Sequence, residues 1–193
     1  MTTPVLCLAS ASPRRRALLA SIGVPVKVYP CDIDETPLVG ESAQAYVQRL
    51  AMAKAEAAVP FTDLPTLGSD TAVVVDGRIL GKPANAGEGA EMLGLLSGRC
   101  HQVLTAVAVS GPAGMLSCCV ATQVTMREIS ADEIAAYWCT GEPADKAGGY
   151  AIQGLASIFV KQIQGSHSAV VGLPLFETTH LLCRQGVPIW QRV

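Results

Sequence analysis

Apolar and polar positions recur along this chain with two periods, and the switches between them mark out alternating strands and helices. Residues 4–10 (PVLCLAS) are a short, nearly unbroken apolar run, the pattern of a strand covered on both faces. A helix is predicted directly after it. Ser12 suits the cap, Pro13 the first helical position, Leu18, Leu19 and Ile22 form an apolar stripe, and Gly23 stands where the helix should stop. In residues 24–30, Val24, Val26 and Val28 alternate with other residue types, predicting a second strand. Residues 31–42 read as an acidic loop, and the Ala-, Gln- and Glu-rich stretch 42–58 as the longest helix.

The later chain continues the alternation. A strand around Thr71–Val75 turns at Asp76-Gly77, a hairpin signal, into a short partner Arg78–Leu80, and Gly81-Lys82-Pro83 breaks the pattern. Residues 87–98 predict a helix ending at Gly98. Residues 101–112 and 114–129 predict a long β-hairpin whose alternating valines and alanines suggest one covered face. Ser130 and Glu133 have capping-box spacing before a helix that closes at Gly141. A glycine-flanked segment 147–154, a strand in 158–166 and a helix in 174–186 complete the series, with Gln185–Val193 expected to close that last helix. Hairpins mixed with helices imply a mixed α/β sheet. There is no internal repeat and no low-complexity tract. At 193 residues, the chain reads as one domain spanning 1–193.

Composition narrows the function. Half the residues are hydrophobic and the net charge is −2, without the basic excess of a general nucleic-acid binder. No run approaches the roughly 20 apolar residues of a membrane span. The seven cysteines include no C-x-x-C pair, and the three histidines stand at no zinc-ligand spacing to one another. The cysteines therefore read as buried, reduced thiols in a cytoplasmic protein.

The chemistry begins at Arg14, Arg15 and Arg16. A helix N-terminus carries unpaired N–H groups and partial positive charge, so cations are misplaced there unless an anion is to be bound. A strand, a Ser-rich turn and a helix N-terminus bearing arginines form the layout of a phosphate site. The alternative is a solvated surface turn. Asp32, Asp34, Glu35 and Asp70 supply oxygen donors of the kind that hold Mg²⁺ beside substrate phosphates, and an acid there can act as general base towards water. Asp32-Ile33-Asp34-Glu35-Thr36 also matches the D-x-D-x-T nucleophile motif of haloacid-dehalogenase-type phosphatases, though Pro30 and Cys31 replace the apolar strand that motif follows. Among the lysines Lys54, Lys82, Lys146 and Lys161, Lys82 is the least like an ordinary surface residue, because Gly81 and Pro83 fix its backbone.

Taken in order, LASASPRRRALL, DETP, AMAKA, LGSDTAVVVDG, LGKP, LSGRCHQVLTAV, GEPADKAGGYAIQG and VVGLPLFET resemble the Maf proteins from Leu8 to about Thr178. The resemblance implies an inosine-triphosphatase-like fold, a curved mixed sheet with flanking helices and a cleft between two lobes. It implies a homodimeric, cytoplasmic nucleoside triphosphate pyrophosphatase that uses Mg²⁺ or Mn²⁺ and has been linked to septum inhibition. By position, Asp70 falls on the proton acceptor. Arg14, Arg15, Lys54 and Lys82 fall on phosphate-binding residues, and Glu35, with Asp70, on metal-binding acids. Thr71 and Gln153 match the branch acting on dTTP and UTP, whereas the branch acting on 7-methyl-GTP tends to carry Gln and Glu there. A neutral amide suits a pyrimidine edge, and a carboxylate suits a cationic methylguanine. Arg16 lies beyond the matched core and takes no role, and Gly149 and Ala151 flank Tyr150 with unusually small residues.

Overall fold

The computed structural model describes residues 3–190. The end of the segment expected to close the last helix, residues 191–193, lies outside them. In chain order the elements are β1 (Leu6–Leu8), α1 (Pro13–Ser21), β2 (Val26–Val28), α2 (Ala43–Ala58), β3 (Thr66–Val75), β4 (Arg78–Leu80), α3 (Ala86–Leu96), β5 (Cys100–Gly111), β6 (Gly114–Met126), α4 (Ala131–Cys139), β7 (Val160–Gln164), α5 (His167–Val171) and α6 (Leu175–Arg184). The strands hydrogen-bond in the order β2-β1-β3-β5-β6-β7, with β4 on β3. β1 is parallel to β2 and β3, while β3–β4 and β6–β7 are antiparallel, so the sheet is mixed as predicted.

The chain falls into two compact units. The first takes residues up to Asp70, Thr105–Val120 and Gly172 onward; the second takes Thr71–Leu104 and Ala121–Val171. Strands β3, β5 and β6 contribute residues to both, so neither unit is a single stretch of sequence.

In the first unit, β1 is buried throughout, and the reason is local. Leu6 and Leu8 join Leu19 of α1, Leu67, Val107, Val109 and Leu181 and Leu182 of α6 in one core cluster. Cys7, pointing the other way, meets Ala58 of α2. α2 turns Val47, Leu50, Ala51, Ala55 and Ala58 inward, an apolar stripe made largely of alanine, which lets the helix come close to the sheet. Gln185, buried after α6, donates from Nε2 to the carbonyls of Val109 (3.1 Å) and Gly114 (2.6 Å) and accepts from Ala113 N–H, pinning the β5–β6 turn. Without those bonds the buried Gln185 amide would be unpaired.

In the second unit, the expected capping box is present with both hydrogen bonds, and Gly141 stops α4 at φ +77°. Gly89 of α3 sits under the Trp138 ring of α4, where a Cβ would come within 2.6 Å of it.

Three readings of the sequence need correction. β3 begins at Thr66, five residues ahead of the strand predicted at Thr71, so Asp70 is in mid-strand. The hairpin alternates in burial only along residues 121–126 of β6; residues 103–109 of β5 are buried in sequence, the mark of a strand covered on both faces. The cysteines are free, but only Cys7 is buried; Cys100, Cys139 and Cys183 are exposed.

Candidate active site

The N-terminus of α1 is built as the sequence suggests. Ser12 caps it, its hydroxyl accepting from Arg15 N–H, Pro13 opens it, and no acid occupies the first turn. The guanidinium of Arg15 is folded back over the turn. Its Nε donates to the Gly172 carbonyl at 2.9 Å and its Nη1 to Ser10 Oγ at 3.2 Å. Burial draws its pKa below the ordinary value, partly offset by the charges of Asp70 and Glu35.

The alternation of β3 places the next components. Thr66, Gly68 and Asp70 share one strand face. Thr66 donates its hydroxyl to the Ala55 carbonyl of α2 at 2.8 Å. Gly68 lies against Ala51 and Ala55, where a Cβ would meet the Ala51 carbonyl at 2.2 Å. Asp70 then reaches Lys54 of the same helix, with Nζ 2.7 Å from Oδ1. On the opposite face, Ser69 is fully buried and donates to the carbonyls of Ala106 (2.8 Å) and Gly172 (3.1 Å). Gly172 thus receives both the strand that carries Asp70 and the arginine of α1.

Lys54 has a second partner, Glu35 Oε1, also at 2.7 Å. Glu35 comes from a loop without regular structure that α2 holds in place. The Tyr46 hydroxyl donates to the Glu35 carbonyl at 3.0 Å, and Arg49 donates to the Thr36 carbonyl and to both oxygens of Glu41. One ammonium therefore stands between two carboxylates, one buried and one exposed. Burial raises the Asp70 pKa, against the opposing pull of Lys54 and Arg15, and a carboxylate raised towards neutrality is a better proton acceptor.

Four of the predicted residues, Arg15, Glu35, Lys54 and Asp70, are thus associated within the first unit, and Arg14 lies beside Arg15 in the same helical turn. The phosphatase-like Asp32 and Asp34 are not part of the group. Both are exposed in the loop, where Asp34 accepts from Thr36 N–H at 2.9 Å in a local turn. Ser69, Tyr46 and Arg49 could not be singled out as supports before the fold was known, because each acts through a carbonyl or carboxylate remote along the chain.

Thr71, Lys82 and Gln153 belong to the second unit. Thr71 is half-buried on β3, and Lys82 is exposed after β4. The Gly81 carbonyl accepts from Gly148 N–H at 2.9 Å, which ties the Lys82 turn to the glycine-flanked segment. Gly148, at φ +68°, presses on Val73, where a Cβ would fall 2.9 Å from a methyl group. Gln153 is exposed in the turn that follows.

In the same unit His101 is buried, with Nε2 2.7 Å from the Tyr150 hydroxyl and Nδ1 unpartnered among the described residues. Burial pulls its pKa down to about 4. In an unfolded chain the imidazole titrates near about 6.5. Between those values the unfolded chain binds more protons, so this contribution is fully present above about 6.5 and is lost as pH falls towards about 4, on the order of 3 kcal/mol in all. Thermal melts should show wild type losing more stability than His101→Gln between neutral pH and pH ~5; parallel losses would contradict the assignment.

Together these features define a class: an α/β protein presenting arginines at a helix N-terminus beside a lysine held between two carboxylates, a set suited to phosphate chemistry. The chain belongs to the Maf-like protein family, whose profile matches residues 5–185. It is similar to a protein of Saccharophagus degradans named dTTP/UTP pyrophosphatase, 55% identical over 193 residues, covering 97% of this chain and 92% of the relative. A protein of the same name from Pseudoalteromonas translucida is 52% identical over 182 residues, covering 93% of this chain and 96% of the relative. Among solved structures, a HAM1 protein from Coxiella burnetii shares the fold at 20% identity, with a TM-score of 0.50 over 94% of this chain and 100% of that one.

Proposed function

We propose that the protein is a nucleoside triphosphate pyrophosphatase that hydrolyses dTTP and UTP to the nucleoside monophosphate and pyrophosphate. The observation that carries this reading is the Glu35–Lys54–Asp70 arrangement near the arginine-bearing start of α1. The names of relatives more than half identical over nearly the whole chain support the substrate.

The roles follow from charge. Arg14 and Arg15 receive the triphosphate at the positive end of α1, spreading its charge over fixed donors. Lys54 exchanges a carboxylate partner for a phosphate oxygen. Asp70 takes the proton of a water whose oxygen bonds to the α-phosphorus. The bond from that phosphorus to the bridging oxygen breaks, and pyrophosphate leaves with the electron pair. By motif position, the family resemblance implies that Lys82 is a further phosphate contact and that Thr71 and Gln153 are base contacts.

A divalent cation fits the same carboxylates. No group of three or more acidic, His or Cys side chains forms a cage among the described residues. Mg²⁺ is commonly held by one or two carboxylates plus substrate phosphates, and Glu35 and Asp70 already stabilise positive charge at a common point. Glu35 and Asp70 would hold the ion, which supplies charge neutralisation at the phosphate oxygens.

A side-by-side panel of dTTP, UTP and 7-methyl-GTP with Mg²⁺ tests the proposal. The expected kcat/KM values for the two pyrimidine substrates exceed that for 7-methyl-GTP by roughly tenfold or more, as fits a site whose polar contacts match only one base. A preference for 7-methyl-GTP would overturn the substrate assignment.

A further inference from the structure

We infer that Tyr137 and Glu142 are positioning residues that fix the turn bearing Gln153 and so set which base is accepted, an inference that rests on the nucleotide-hydrolase reading above. The segment from Tyr150 to Ala156 lies outside the strands, so its N–H groups need partners elsewhere. Two side chains supply them on either side of Gln153. The Tyr137 hydroxyl accepts from Ala151 N–H at 3.2 Å. The Glu142 carboxylate accepts from Leu155 N–H at 2.9 Å and Ala156 N–H at 3.2 Å, at the start of the short 3₁₀ helix Leu155–Phe159. The clamp is joined to itself, because Tyr137 Oη donates to Glu142 Oε1 at 2.6 Å. A single phenolic oxygen therefore holds the chain before Gln153 and orients the carboxylate that holds it after.

The sequence around the clamp is shaped to it. Gly141, at φ +77°, turns the chain off α4 so that Glu142 comes back towards Tyr137. Gly154 passes so close that a Cβ would fall 2.1 Å from Glu142 Oε2. Tyr137 is buried and packs edge-to-face on Phe159, ring centres 5.5 Å apart. Burial pushes the Glu142 carboxyl up, but the Tyr137 hydroxyl, the two backbone N–H groups and Lys146 outweigh it and leave the pKa below the ordinary value. The carboxylate stays charged, and charge-assisted bonds are the stronger kind. Between the anchors Ile152 is buried, whereas the Gln153 amide is exposed and makes no side-chain hydrogen bond among the described residues. A rigid frame thus presents one uncommitted amide, able to donate and accept, to a ligand. Removing an anchor leaves the amide in place chemically but no longer at a fixed position, and base recognition suffers while the phosphate chemistry does not.

The test uses Tyr137→Phe, Glu142→Gln, Gln153→Ala and the Tyr137→Phe/Gln153→Ala double variant. Each is measured for kcat and KM with dTTP and dGTP and by thermal melting. Expected is a roughly tenfold rise in the dTTP KM of Tyr137→Phe and Glu142→Gln with kcat within about twofold, and a matching fall in preference for dTTP over dGTP, the signature of lost uniform binding. In the Gln153→Ala background, Tyr137→Phe should change that preference no further, because both act through the same amide. Tyr137→Phe removes one oxygen and carries the test even if Glu142→Gln fails to fold. Variants that melt earlier yet keep the wild-type preference, or effects that simply add in the double variant, would overturn the positioning role. A wild-type protein that does not hydrolyse dTTP would instead sink the reading on which the inference rests.

Discussion

Asp70→Asn should abolish most turnover, lowering kcat with dTTP by about 10²–10⁴-fold, the usual share of general-base catalysis, which corresponds to about 3–5 kcal/mol of barrier. The substitution is nearly isosteric. The Asn amide oxygen can still accept from Lys54, and the Lys54–Glu35 pair persists. What is lost is basicity and one negative charge in a place that burial already makes unfavourable for it. Folding should therefore be unharmed, because a buried charge has been exchanged for a neutral group that keeps a partner. KM for dTTP should stay within a few-fold, since Arg14, Arg15 and Lys82 are untouched. The acidic limb of kcat/KM against pH in wild type reports the ionisation of Asp70, which burial moves above the ordinary carboxylate value, and this limb should be missing in the variant. Equal turnover by the two proteins would contradict the assignment of the base.

Gly68→Ala should be the most damaging single methyl group in the first unit. The added carbon would lie 2.2 Å from the Ala51 carbonyl, 2.6 Å from Ala55 N and 3.0 Å from Lys54 Cβ. The first two are backbone atoms of α2, so no side-chain rotation relieves them; either the helix or the strand must move. Overpacking of this kind costs about 3 kcal/mol, or roughly 6–12 °C in Tm for a chain of this size. The displaced helix carries Lys54, and a shift of about 1 Å in a positioning group can cost about 100-fold in rate. Both losses should appear together. Gly94→Ala provides the contrast: it stands on the exposed side of α3 with nothing within 4 Å of its added Cβ, and should be neutral or raise stability by up to about 1 kcal/mol. Equal melting temperatures for Gly68→Ala and wild type would mean that α2 and β3 are not packed as described.

The contrast between these two glycines also explains what could be read from the sequence. Signals that act within a few residues were legible. The Ser12 cap with Pro13, the Ser130–Glu133 box and the turn at Asp76-Gly77, both at positive φ, need only local backbone chemistry. The first half of β3 was not legible. Gly68 and Ser69 interrupt the apolar pattern because their partners are remote: Gly68 makes room for α2, and Ser69 bonds the Ala106 and Gly172 carbonyls. Neither residue favours a strand by itself, so tertiary contact overrides propensity there. β2 proved shorter than its valines suggested: it covers Val26–Val28, with one flanking backbone bond at each end, Val5 N–H to the Pro25 carbonyl and Tyr29 N–H to the Leu8 carbonyl.

The site divides in the same way. Arginines at a helix N-terminus are anomalous on electrostatic grounds alone, so Arg14 and Arg15 could be singled out without a structure. Glu35, Lys54 and Asp70 could be matched by resemblance, but their convergence on one ammonium depends on a loop, a helix and a strand that only the fold assembles. The Tyr137–Glu142 clamp left no pattern at all. An acid just past a helix-ending glycine looks like an ordinary solvated side chain until Leu155 and Ala156 come back to it.

The most direct measurement is the identity of the products formed from dTTP in heavy-oxygen water with Mg²⁺. The account predicts dTMP and pyrophosphate in equal amounts, with the heavy oxygen in dTMP, because water attacks the α-phosphorus. Orthophosphate and dTDP, label in the pyrophosphate, or no hydrolysis at all would contradict it.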